Sequence, residues 1–331
     1  MDRIAKWLEE DRAQLFELAA SALGISTAII EKDFWVCWVL DYLFRDSQWQ
    51  DKLIFKGGTS LSKAYGAIQR FSEDVDLVID WTQLGYTEEE AFRDRTNKKQ
   101  DLFCREVSDR TVDFLRDTFV PVLTQELSDR LGVAIKTSQD EQIVAIEYPR
   151  SFSIEYVRPV IALEIGPKAL HEPNEMVDIR PYAAERFPDQ FEKPNTTVRT
   201  VSSERTFWEK ATILHQEAHR EAGKKLPLRY SRHYYDLYQL SKMEMKTKAI
   251  GNIGLLSDVA KFKTKFFRCG WARYELAKPG TLRLTPPEHN IKALRNDYAS
   301  MQSMLFGVVP TFDEILVQLD LLETEINEQS L

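Results

Sequence analysis

The chain has 331 residues, enough for one large domain or two ordinary ones, and its 43% apolar and 29% charged residues are usual for a globular protein. A formal net charge of −8 argues against a protein that coats nucleic acid by bulk electrostatics, so any RNA partner must be held by a few positioned side chains and a metal. No apolar run approaches the roughly 20 residues that span a bilayer. Cys37, Cys104 and Cys269 are too few and too scattered for a disulfide framework or a C-x-x-C metal knuckle.

The opening stretch, MDRIAKWLEEDRAQLFELAA, is amphipathic and acidic and lacks the apolar core and cleavage site of a signal peptide. A cytoplasmic protein with no membrane partner is expected. Residues 3 to 45 read as two helices, the second starting at Ser26/Thr27. "KLIFKG" and "DVDLVID" read as strands flanking a helical turn, "SLSKAYGAI". Residues 87 to 131 read as mostly helical. "EQIVAIEYP" and "YVRPVIALEIG" read as strands, the second stopped by Gly166-Pro167. Residues 168 to 200, with Pro173, Pro181, Pro188 and Pro194, read as an irregular connection. From Ser202 onward the pattern is helical, and the last helix opens on a Thr311/Glu314 capping box. There are no repeats. The fold class expected is α+β, with a mixed α/β part over 1–200 and an α-helical part over 201–331.

The stretch that carries chemistry is "FKGGTSLSKAYGAIQRFSEDVDLVID", residues 55–80. Gly57 and Gly58 follow a strand and precede a helix, where backbone N–H groups can approach an anion closely. Thr59, Ser60 and Ser62 add hydroxyls, and Lys56 and Lys63 add positive charge. Asp74 and Asp76 alternate across Val75, so on a strand both carboxylates aim to one side. Two converging carboxylates repel unless a cation lies between them, and Mg²⁺ commonly bridges one or two carboxylates to substrate phosphates. A phosphate-holding turn coupled to a metal-holding strand is the apparatus of phosphoryl or nucleotidyl transfer. There is no G-x-x-x-x-G-K-[ST], so this is not a P-loop. Glu164, a lone acid in the apolar strand "VIALEIG", is the best third carboxylate, with Glu147 and Glu155 as rivals.

These residues resemble the first motif of the AbiEii/AbiGii nucleotidyltransferase toxins, which include the mycobacterial MenT enzymes and belong to the DNA polymerase β-like superfamily. "IIEKDFWV" (29–36), "ERTFWEKATILH" (204–215), "SRHYYDLYQL" (231–240) and "LRNDYASMQSMLFGVVPTFDEIL" (294–316) are similar to further family blocks. The resemblance implies a polymerase-β-like core, a small mixed sheet with helices, followed by a helical part. It puts the third acidic position at Glu164, here Glu rather than Asp, a replacement the superfamily tolerates. It puts a functional lysine at Lys210, to bind the triphosphate and offset charge on the leaving pyrophosphate. Asp236 matches the last acidic motif position, as support for the metal, for Lys210 or for the attacking hydroxyl, or as a structural partner of Arg232. Arg70 is either a phosphate contact or a brace for the acidic loop.

Two further signals stay secondary. His215 and His219 in "HQEAH" have a metal-ligand spacing, but Glu217 is misplaced for H-E-x-x-H. Residues 220–233 and 261–273 interleave basic and aromatic side chains, which suits single-stranded RNA or a solvated helix face with core aromatics. Glu31, Lys32 and Asp33 suggest bracing salt bridges and no chemistry. The expectation is therefore a Mg²⁺- or Mn²⁺-dependent nucleotidyltransferase using NTP, the toxin of a type IV, AbiE-like toxin–antitoxin or phage-defence pair. The resemblance implies a tRNA 3′ end as acceptor and an antitoxin encoded nearby. An NTP-binding sensor and a protein-nucleotidylating enzyme are the alternatives.

Overall fold

Seven strands form one mixed sheet in this computed structural model, which describes residues 1–153, 158–168 and 172–329. They are β1 (Leu53–Lys56), β2 (Asp74–Ile79), β3 (Thr137–Asp140), β4 (Ile143–Glu147), β5 (Val160–Gly166), β6 (Asn174–Ile179) and β7 (Thr196–Val201). Their order is β3-β4-β5-β2-β1-β7-β6. β2 runs antiparallel to β1 and parallel to β5, while β1 is parallel to β7.

Strand alternation decides which face is core. Val75, Leu77 and Ile79 of β2 and Ile161, Leu163 and Ile165 of β5 are buried, together with Leu53 and Phe55 of β1. They pack in one cluster with the Thr27–Asp41 helix, whose Phe34, Trp35 and Trp38 contact one another edge to face. Burying each such side chain contributes on the order of 1.5–3 kcal/mol. That helix is buried almost all round, so it shows no polar stripe. No single helix among the described residues is long and apolar enough to cross a membrane.

The chain divides into two compact units, Met1–Ala64 with Phe71–Thr200, and Tyr65–Arg70 with Val201–Leu331. The first holds the sheet. The second is helical, with helices at Ser203–Ala218, Ser231–Leu240, Gly254–Phe266, Glu288–Ser300 and Phe312–Asn327. Thr311 and Glu314 form the expected capping box. The hexapeptide 65–70 joins the second unit, where Arg70 bridges to Leu305 and the Phe306 N–H donates to the Gln69 carbonyl at 3.0 Å.

Three expectations need correction. Residues 168–200 are not merely a connection, since they contain β6 and β7. β6 is an outer strand with a mostly exposed, polar sequence, so it lacks the apolar alternation of a half-buried strand. β3, "TSQD", was missed for the same reason. The N-terminal helix is broken into Asp2–Ala5 and Glu9–Leu23.

Candidate active site

The register of the central strands gathers the acidic side chains on one face. Asp76 pairs with Glu164 across the parallel β2–β5 ladder and with Lys56 across the antiparallel β1–β2 ladder. Directly paired residues share a face, and Asp74 joins it two residues before Asp76. The opposite face is the apolar core. Asp74 and Asp76 are half-buried and Glu164 is exposed. Glu164 is thus an acid on the solvated side of its strand, and burial gives it no reason to seek a cation. Glu147, its rival, is exposed at the end of β4. Glu155 lies outside the described residues.

The glycine turn is fitted to this face. Gly57 has φ +80°, which an L side chain adopts only with strain. A Cβ on it would lie 1.9 Å from Asp76 Oδ2 and 2.6 Å from its Cγ. Only glycine lets the Gly57–Lys63 helix start this close to the carboxylate. Thr59 fixes the approach from the other side. Its hydroxyl donates to the Asp74 carbonyl at 2.5 Å, tying helix to strand. The Ser60 hydroxyl is fully buried and donates to the Gly57 carbonyl at 2.9 Å. The two hydroxyls thus serve the backbone of the turn.

A divalent cation fits this set as a substrate-completed ion. Among the described residues, Asp74 Oδ1 is buried and accepts no hydrogen bond, and Arg158 Nη1, at 3.8 Å, is its ion-pair partner. Such an oxygen suits a cation. Among the described residues no group of three or more His, Cys, Asp or Glu could hold a metal by itself. One or two carboxylates completed by phosphate oxygens is the usual Mg²⁺ arrangement.

Lys63 is not on the acidic face as a phosphate contact. It is buried, its Nζ lies 2.7 Å from Asp33 Oδ1, and it stands 3.7 Å over the Tyr182 ring. Burial works against the ammonium, but the Asp33 carboxylate outweighs it and raises the Lys63 pKa. Lys63 therefore pins the glycine helix to the Thr27–Asp41 helix. The basic residue that does share the face with Asp76 is Lys56.

The second unit builds its own charged cluster. Asp236 is fully buried and accepts from two cations. Arg70 clamps it from Nε at 2.6 Å and Nη2 at 2.9 Å, and Lys210 Nζ donates at 2.7 Å. His233 Nδ1 lies 3.4 Å from Lys210 Nζ. Burial alone would raise the Asp236 pKa, but Arg70 and Lys210 hold it well below the usual carboxylate range. Burial, with Arg70 nearby, lowers the Lys210 pKa despite Asp236. Arg70 is a bidentate partner of Asp236, and Arg232 is not its hydrogen-bonded partner. His233 was missed, and nothing in its sequence surroundings marks it.

The secondary signals resolve toward structure. The Arg283 N–H donates to His215 Nδ1 at 3.0 Å, so Nε2 carries the proton and donates to the Arg273 carbonyl at 3.0 Å. Neither nitrogen is left for zinc. In the basic-aromatic stretches, Arg220 binds Glu217, Lys261 pairs with Asp258, Lys263 holds the Glu209 carbonyl, and Arg273 pairs with Glu275. Phe262 and Phe266 are buried, while Phe267 is 48% exposed. A cavity of about 510 Å³ in the first unit, bordered by Arg93, Arg95 and Lys99, touches none of the candidate residues.

Comparison with known proteins agrees with the fold. The chain is similar to the solved structure of MenT4, a nucleotidyltransferase toxin from Mycobacterium tuberculosis, at 16% identity and a TM-score of 0.51 over 96% of this chain and 90% of that one. It also matches JHP933 from Helicobacter pylori (15% identity, TM-score 0.43, 92% and 94% covered). A putative H. pylori nucleotidyltransferase matches with 15% identity and a TM-score of 0.44, covering 92% and 96%. No curated protein matches the chain by sequence. The family described as nucleotidyl transferase AbiEii toxin, type IV TA system, matches residues 38–318, a span that begins after "IIEKDFWV" and includes the glycine turn, both carboxylate strands and the Lys210–Asp236 helices. On that match the chain belongs to the AbiEii family of nucleotidyltransferase toxins, NTP-dependent transferases of type IV toxin–antitoxin systems.

Proposed function

We propose that this chain is a Mg²⁺- or Mn²⁺-dependent enzyme that transfers NMP from NTP to an acceptor hydroxyl at a tRNA 3′ end, acting in the cytoplasm as the toxin of a phage-defence pair. The observation that supports it most is the Gly57 turn packed without a side chain against Asp76, with Asp74 and Glu164 on the same face. Backbone N–H groups of Gly57, Gly58, Thr59 and Ser60 hold the triphosphate. Asp74 and Asp76, with Glu164 beside them, hold the divalent ion, which when bound offsets charge on the phosphate oxygens. Glu164 accepts the proton of the acceptor hydroxyl. That oxygen attacks the α-phosphorus in line, the bond to the α–β bridging oxygen breaks, and pyrophosphate carries the electron pair away. Lys210, oriented by Asp236 and seconded by Arg70, offsets the charge on the leaving group.

The family implies a cognate antitoxin and an NTP substrate. The acceptor is read from fewer side chains, because in the basic-aromatic stretches Lys263 holds the Glu209 carbonyl, Arg220 binds Glu217, and Phe262 and Phe266 are core. That observation favours, as a second reading, a protein hydroxyl as acceptor. The test is to incubate the protein with each α-³²P-labelled NTP, Mg²⁺ and total tRNA, beside Asp74→Ala and Lys210→Ala. Label entering RNA only with the intact sites supports the tRNA reading. Label in a protein band selects the second reading, and Asp74-dependent NTP binding without any product refutes transfer to both.

A further inference from the structure

The residues "EKD" in the Thr27–Asp41 helix, which no chemistry absorbs, are almost wholly buried. Asp33 serves Lys63 and the Tyr182 N–H. Glu31 reaches the backbone after β4, and Lys32 reaches the backbone just before β5. Glu31 accepts the N–H groups of Ser151 and Phe152 at 2.8 and 3.0 Å. Lys32 donates to the carbonyl of Arg158 at 3.1 Å and stands 5.6 Å over the ring of Phe71. Burying two unlike charges side by side is costly unless their contacts fix something that matters. Here two consecutive residues of one rigid helix hold the backbone at 151–152 and at 158.

Lys32 thereby holds the backbone of Arg158, whose guanidinium faces the acidic strand. Its Nη1 lies 3.8 Å from Asp74 Oδ1 and its Nε 3.9 Å from Glu73 Oε2. Both distances exceed a hydrogen bond, so attraction is present without a committed contact. The side chain is 56% exposed, while Asp74 Oδ1 is buried. A guanidinium is a rigid fork suited to phosphate oxygens, and it repels a second cation drawn to the same carboxylate.

We propose that Arg158 is a nucleotide-positioning residue held in place by Lys32: it is the counter-ion of Asp74 and passes to the triphosphate when a divalent ion takes that carboxylate. The proposal rests on Asp74 as a metal ligand. It gives opposite signs for two binding constants. Removing Arg158 takes a competing cation from Asp74, so metal alone binds more tightly. It also takes a phosphate contact away, so nucleotide binds more weakly.

The experiment measures Mn²⁺ binding by electron paramagnetic resonance without nucleotide, then binding of each of the four common ribonucleoside triphosphates at saturating Mn²⁺. Arg158→Ala is expected to bind Mn²⁺ several-fold tighter and its preferred nucleotide about tenfold weaker, the loss of roughly 1.4 kcal/mol. Arg158→Lys falls between it and the wild type, because charge remains and the fork is lost. Lys32→Met, checked for folding by circular dichroism, shifts both constants in the same directions, and Arg158→Ala decides the matter if Lys32→Met does not fold. Both constants unchanged in Arg158→Ala, or both weakened together, overturns the proposal. Asp74→Ala runs in parallel, and undiminished Mn²⁺ binding there refutes the metal reading itself.

Discussion

The contact between Gly57 and Asp76 can be broken by one methyl group. In Gly57→Ala the new Cβ would lie 1.9 Å from Asp76 Oδ2, where ordinary contacts begin near 3.4 Å. The carboxylate must retreat by about 1 Å or more, and a misplacement of that size in a reacting site costs on the order of 10²-fold in rate. The positive φ adds strain of roughly 1–2 kcal/mol, which a domain with 5–15 kcal/mol of stability survives. Gly132→Ala separates the two effects. Gly132 has φ +82° and nothing within 4 Å of an added Cβ. Both variants should lose similar stability in urea unfolding. Only Gly57→Ala should lose NMP transfer, measured as the initial rate of label moving from α-³²P-labelled NTP to acceptor. Equal rates in the two variants would mean that the Gly57–Asp76 approach is packing and not part of the site.

Three other perturbations follow from the buried charges. Lys63→Met leaves the Asp33 carboxylate buried without its cation, held only by the Tyr182 N–H among the described residues, and should cost about 3–5 kcal/mol in urea unfolding, while the double change with Asp33→Leu should recover much of it; a double variant no more stable than the single one would refute the pairing. His215, buried and bonded as a neutral ring, has its pKa pushed down to about 4 by burial. Its unfolded value is near 6.5, so the unfolded chain binds the extra proton between those pH values, and stability falls as pH drops from 6.5 to 4, by at most roughly 3 kcal/mol. His215→Gln should flatten that part of a pH series of unfolding midpoints. Asp236→Asn removes the carboxylate that supports the Lys210 ammonium against burial, so the Lys210 pKa falls further. The alkaline limb of the transfer–pH profile should move to lower pH, and an unmoved limb would separate Lys210 from the reaction.

The parts of the fold that could be seen in the sequence are those where one periodicity acts alone. β1 and β2, the Thr27–Asp41 helix and the capping box at Thr311 each follow from local pattern. β3 and β6 could not be seen, because outer strands with polar residues gain their place from backbone pairing and not from an apolar face. In the site, alternation was enough to put Asp74 and Asp76 on one side. The face of Glu164 needed a parallel register with β2 across a sequence separation of 88 residues, which no local signal sets.

The charged residues divide on a different ground. In sequence, Lys63 read as a phosphate contact and Arg70 as either a phosphate contact or a brace, because a lysine or arginine is normally solvated and available. In the structure each is about 4% exposed and committed to a buried aspartate. Lone burial of any of these charges would be prohibitive, so they come in sets, Lys63 with Asp33 and Arg70 and Lys210 with Asp236. Apolar residues of equal volume would give stability as well or better. What they would not give is a fixed polar geometry, and each set ends on an element that carries a candidate catalytic group: the glycine helix in the first unit, the Lys210 helix in the second. The double change at Lys63 and Asp33 tests this directly. If it recovers stability but not transfer, the buried pair is kept for the position of the glycine turn; if it recovers both, the pair is only one of several ways to fill the core.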